Sequence, residues 1–153
     1  MNLQSCFLVC LSACESGITS PHSLLDEYVG LVSGFLAVGA KCVISTLWTV
    51  DDVSSALLMI EFHRLCKEDG ENPVAALLKA QNWLKNITHQ KLSEHYLKIA
   101  DELPSNERSV QRYLREEADW IVSPDNIKFS RSECPYDDPY YWAGFTVTSK
   151  VGF

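Results

Sequence analysis

Phe7-Leu8-Val9-Cys10-Leu11-Ser12-Ala13-Cys14-Glu15-Ser16-Gly17 is an apolar run that stops abruptly in a small, polar turn closed by glycine. Apolar residues in unbroken succession suit a strand covered on both faces, the kind found in parallel sheets of α/β proteins. Ligands of such sheets bind beyond the carboxyl ends of the strands, and that is where this run leaves Cys14. A thiol so placed becomes a nucleophile when it is partly exposed and has a base nearby. The other reading of the same residue is a buried cysteine that merely closes the strand.

Outward from that stretch, Ile18 to Leu25 contains Pro21 and several Ser and Thr residues and reads as a loop that walls a cleft, with His22 as a solvated member. Tyr28, Leu31, Val32, Phe35 and Leu36 recur at helical spacing, and Gly39 is placed to end that helix. Lys41 to Trp48 is rich in β-branched residues and predicts a second buried strand, which makes a strand–helix–strand unit with a right-handed crossover. Asp51 or Asp52 then caps a helix with Val53, Leu57 and Ile60 on one stripe and Leu58, Phe62 and Leu65 on another. Asn72-Pro73 opens the next helix through Val74, Leu77, Leu78 and Leu84. Leu92, Tyr96, Ile99 and Leu103 space helically up to Pro104, and Ser105 restarts a helix through Val110, Tyr113, Leu114 and Ile121. Pro124 to Pro139 reads as a loop, after which Tyr141 to Val147 regains strand character.

The 153 residues suit one domain, and 13 basic against 20 acidic residues leave a net charge of −7. There is no basic footprint, which argues against nucleic acid or an anionic membrane as partner. No stretch approaches the roughly twenty apolar residues of a membrane helix. No Lys or Arg precedes Lys41, so the basic start of a secretion signal is missing and a cytoplasmic location is expected. The six cysteines show no Cys-x-x-Cys spacing. Cys6, Cys10, Cys42 and Cys66 read as buried filler, Cys134 as a loop residue, and no metal site is expected. A serine-hydrolase elbow also fails, because Cys14 and Ile18 stand where glycines would flank Ser16.

Several blocks, in order, resemble the second half of a CHAT domain, a caspase- and separase-like cysteine peptidase module. Leu11-Ser12-Ala13-Cys14-Glu15-Ser16-Gly17 is similar to the family's nucleophile motif, and Asp26-Glu27-Tyr28-Val29-Gly30-Leu31 to the start of its next helix. Residues 35 to 52, with Leu47-Trp48-Thr49-Val50-Asp51-Asp52 at their end, resemble a block ending in Leu-Trp-x-Val-x-Asp. Ala75 to Gln81 and Tyr141-Trp142-Ala143-Gly144-Phe145 complete the series. Residues 88 to 138 match no motif and read as a divergent, mostly helical insertion. The resemblance implies a caspase-like three-layer α/β/α fold, with a partial, mostly parallel sheet of about three strands, and residues 1–153 as the C-terminal portion of the domain.

By that resemblance Cys14 is the candidate nucleophile of a cysteine endopeptidase lineage, and Trp48 and Asp52 help wall a substrate pocket. Read structurally, Trp48 is a core residue and Asp52 a helix N-cap. The family's general base sits in a His-Gly motif ahead of the nucleophile strand. His22, His63, His89 and His95 are not followed by glycine, so none carries that role over. A truncated domain that is inactive alone is therefore one expectation, and a non-catalytic protein-interaction module of the same fold the alternative. The implied partners are a protein or peptide substrate and a tetratricopeptide-repeat regulator in cis or in trans; no cofactor is expected.

Overall fold

The computed structural model describes residues 6–11, 30–123 and 130–150. Contacts divide the chain into two compact units, Met1–Leu84 with Asp138–Phe153, and Lys85–Asp137.

The first unit is built on a sheet of three strands in the order β1-β2-β3: β1 (Leu8–Leu11), β2 (Cys42–Thr46) and β3 (Phe145–Ser149). β1 and β2 are parallel, with Val9 opposite Val43 and Cys10 opposite Ile44, and β2 and β3 are antiparallel, with Thr46 opposite Phe145. The sheet is therefore mixed. Side chains alternate across a strand, so Val9, Leu11 and Val43 share one face and Cys10, Ile44 and Thr46 the other. The first face meets α1, helical over residues 30–37, where Val32 is buried with Ala40 and Val43 while Phe35 and Leu36 pack beside them. Leu31, expected on that apolar face, is exposed. Gly39 ends the helix with φ 118°, in the left-handed region that glycine enters without strain.

The second face meets α2 (Asp52–Lys67). Its buried residues, Ser54, Leu57, Leu58, Glu61, Phe62 and Leu65, form a single helical stripe. Val53 and Ile60, read as part of a second stripe, lie outside it and are exposed. Arg64 closes the far end of α2. Its Nε and Nη2 donate to the two carboxylate oxygens of buried Glu61 at 2.9 and 2.8 Å, and its Nη1 donates to Asp69. These bonds, foremost the one to Glu61, hold the guanidinium pKa above its ordinary value. α3 (Pro73–Asn86) starts as read, with Asn72 Oδ1 accepting from Ala75 N at 3.0 Å. It buries Ala76, Leu77, Ala80 and Leu84 but leaves Val74 and Leu78 exposed.

In the second unit α4 (His89–Glu102) and α5 (Arg108–Ile121) follow one another. Ser93 Oγ donates to Ala118 O across a buried 2.8 Å, and Arg115 pairs with Asp101 at 2.6 Å. The 130–133 loop covers the start of α4: His89 N donates to Glu133 O, and His89 Nδ1 lies 3.1 Å from Ser130 O. α5 begins at Arg108 rather than at Ser105. Leu103 ends the preceding helix in an extended conformation, and the chain turns through Pro104 to Glu107 before it coils again. Val110 and Tyr113, expected to be buried, are exposed; Ala118 and Ile121 carry the buried side.

Candidate active site

β1 and β2 end side by side at Leu11 and Thr46, and a cavity of about 410 Å³ opens there between the sheet and the first two turns of α2. It is lined by Cys10, Ile44, Thr46 and Phe145 from the strands, and by Asp52, Ser55 and Met59 from the helix. The wall is mostly hydrocarbon, with hydroxyls at Thr46 and Ser55 and one carboxylate, Asp52. A site beyond the carboxyl ends of parallel strands is where the topology of an open α/β sheet leaves room for a ligand. Cys14, the candidate nucleophile, follows β1 by three residues and lies outside the described residues, as do His22 and the 12–29 segment around them.

Asp52 reaches the cavity because another residue does the capping. Asp51 Oδ1 accepts from Ser54 N at 2.9 Å, while Asp51 O accepts from the hydroxyls of Ser54 and Ser55 at 3.1 and 2.6 Å. Asp52 is the first residue of α2, where the positive end of the helix dipole favours a carboxylate. The N-cap reading of Asp52 is thus corrected in favour of Asp51.

Trp48 is neither in a strand nor in the core. The second strand was expected to run from Lys41 to Trp48, yet it ends at Thr46, because the chain must turn to enter α2. Leu47 N donates to Gly144 O at 2.9 Å, and Trp48 stands 39% exposed with its indole Nε1 donating to Tyr140 O at 3.1 Å. The six-membered ring lies against Gly144 so closely that a Cβ there would come within 2.8 Å of Trp48 Cε2.

Cys10 also departs from expectation. Read as buried filler, it is exposed and lines the cavity, because β1 is the outer strand of the described sheet. Its pKa is still raised, first by partial burial and then by the Cys6 thiol. Cys42, on the central strand, is fully buried, and burial, with Cys10 and Cys66 nearby, pushes its pKa up to about 11. Cys66 is raised likewise, chiefly by burial. Thiols held protonated in this way are poor nucleophiles and poor metal ligands. Among the described residues no group of three His, Cys, Asp or Glu side chains is arranged to hold a metal, and no helix is long and apolar enough to cross a membrane.

No described histidine is a lining residue of the cavity: His63 is exposed on α2, His89 begins α4, and His95 is a residue of α4. Among the lining residues not foreseen were Cys10, Thr46, Ser55, Met59 and Phe145. Ser55 and Met59 were within reach, since they follow Asp52 at i+3 and i+7 on the same helical face.

Helices on both faces of a small mixed sheet, with a cavity at the ends of its two parallel strands, define an α/β domain. The CHAT domain family matches residues 1–150, and the chain belongs to it. No curated protein and no solved structure matches the chain.

Proposed function

We propose that the chain is the nucleophile-bearing part of a peptidase-like CHAT domain, with Cys14 as the candidate nucleophile and the cavity as the receptor for one side chain of a protein or peptide substrate. The observation that carries this reading is the cavity itself, which opens where β1 ends, three residues before Cys14. Its hydrocarbon wall suits the stem of a long side chain, and Asp52 suits a cationic head at the end of that stem. Trp48 belongs to the segment between β2 and Asp52 and would flank the bound chain. With net charge −7, the molecule favours such a polypeptide over nucleic acid or an anionic membrane.

Chemistry at Cys14 would follow the usual course of a thiol peptidase. The sulfur attacks the scissile carbonyl carbon, backbone N–H groups stabilise the oxyanion, the amine leaves with a proton from an imidazole, and water hydrolyses the thioester. None of the four histidines stands before a glycine. The imidazole is therefore assigned to a segment outside these 153 residues, in this polypeptide or another, and a tetratricopeptide-repeat regulator is a partner consistent with the family. Residues 88–138 are assigned as an insertion into the domain, the reaction needs no cofactor, and a cytoplasmic setting suits the free thiols. The absence of a His-Gly pair favours a second reading, a non-catalytic interaction module that keeps the cavity.

Peptidyl acyloxymethyl ketones separate the two. On the peptidase reading, a probe with a basic residue next to the ketone alkylates Cys14 faster than one with an acidic residue, and Asp52→Asn cuts that preference by about tenfold. Equal alkylation of Cys14 by both probes, with peptide binding unchanged in Cys14→Ala, assigns the interaction module.

A further inference from the structure

Two sequence blocks, Ala75 to Gln81 and Tyr141 to Phe145, have no role in the chemistry described above, yet the structure joins them. On α3 the residues Leu77, Ala80 and Leu84 are buried, and Gln81, half-buried, lies one turn beyond Leu77 on the same side. Its amide Nε2 donates to Trp142 O at 2.9 Å and to Phe145 O at 3.0 Å. One side chain thus closes both ends of the turn that leads into β3. This turn has three further attachments, all to the loop that follows β2. Leu47 N donates to Gly144 O, Trp48 Nε1 donates to Tyr140 O, and the Trp48 ring rests on the Cα of Gly144. Phe145, at the end of the turn, is itself a wall of the cavity.

We propose that Gln81 is a positioning residue for the cavity: by clamping the carbonyls of Trp142 and Phe145 it fixes the turn on which Trp48 is seated and from which Phe145 enters the wall. The logic is that of a rigid seat. A turn held only by its own backbone can rock, and a tryptophan exposed on one side needs a fixed floor on the other to keep one orientation. Gly144 supplies the floor, because any larger residue would push the indole away. Gln81 keeps the floor still, with both amide hydrogens donated to carbonyls of the turn. Asp52 follows in the same loop-to-helix segment, so the seat also sets where the carboxylate meets the cavity. Only the catalytic meaning of this device rests on the proposed function, since the clamp acts on the cavity's shape whether or not the protein cleaves anything.

The test uses the full chain labelled with 5-fluorotryptophan, the Trp48 resonance being assigned by its loss in Trp48→Phe. Gln81→Met keeps the length of the side chain and removes both donors. It should shift or broaden the Trp48 signal while the Trp120 signal stays in place. It should also change maleimide labelling of Cys10, on the cavity wall, by about twofold, since the thiol is already exposed and only the shape of the wall around it shifts. Labelling of buried Cys42 should remain at its wild-type rate, which a general loosening would not allow. Gln81→Lys, which restores a donor of similar reach, should recover most of the Cys10 value. Gly144→Ala should move the same two signals with the Gln81 bonds intact, and the double variant should be less than additive. Should Gln81→Met fail to fold, Gly144→Ala and Gln81→Lys carry the same two measurements. An unmoved Trp48 resonance, an unmoved Cys10 rate, or Cys10 and Cys42 rising together would each overturn the proposal. A correct clamp with no probe preference at Cys14 would leave it standing and remove only the peptidase reading.

Discussion

β1 and β2 are parallel neighbours with nearly interchangeable sequences, Leu8-Val9-Cys10-Leu11 and Cys42-Val43-Ile44-Ser45-Thr46. By composition the first is the more apolar. The structure nonetheless buries Cys42 through Ser45 completely and leaves every residue of β1 at least partly open. Position in the sheet explains the inversion. β2 has a strand on either side, α1 beneath and α2 above, whereas among the described residues β1 is paired on one side only. Lys41 N donates to Cys6 O just ahead of the ladder, so the pairing of β1 with β2 begins where β1 does. The lesson is that apolarity identifies a strand, and its neighbours decide how much of it is covered.

The two thiols that face the same side of these strands offer the sharpest way to break this contrast. Cys10 should react with a small maleimide more than about a hundredfold faster than Cys42, because Cys42 is reached only when the sheet opens. The raised pKa of both slows each reaction and leaves the order unchanged. Mapping adducts by mass spectrometry at limiting reagent gives the ratio, and comparable rates would place the two strands in equivalent environments.

Side-chain truncation should reproduce the difference as stability. Ile44, 2% exposed, is enclosed on the cavity face, and Ile44→Ala should cost about 2–5 kcal/mol. Val9, half-buried against α1, should cost about 1 kcal/mol as Val9→Ala. Urea titrations with matched m-values decide the matter, and equal midpoints would show that β1 is covered as fully as its neighbour.

Alkaline titration sharpens the same point at a single group. The folded-state pKa of Cys42, about 11, lies above the thiol's ordinary value of 9.0. Folding therefore holds the proton, so this contribution is whole below about pH 9 and declines as pH rises through about 11. At 1.36 kcal/mol per unit, the loss across that window is about 2–3 kcal/mol, and Cys42→Ala should lack it. Chemical unfolding of both proteins from pH 8 to 10.5 provides the comparison; parallel curves would mean that the Cys42 thiol titrates as it does in the unfolded chain.

Much of this molecule is legible in its residues alone. The apolar run ending before Ser12, the helical spacing of Leu57, Leu58, Phe62 and Leu65, and the Asn72-Pro73 start are local signals. Each is decided within a few residues by steric preference, capping and periodicity, and the motif blocks were enough to indicate the family. Strand order, which leaves Cys10 open while Cys42 is closed, joins residues more than thirty positions apart, and no local rule reports it. The division of labour between Asp51 and Asp52 depends on which of two adjacent carboxylates the helix axis turns toward Ser54. The meeting of Gln81, Gly144 and Trp48 spans even greater separations. Those arrangements were left to the tertiary structure because each is a competition among distant groups for the same space and the same hydrogen bonds.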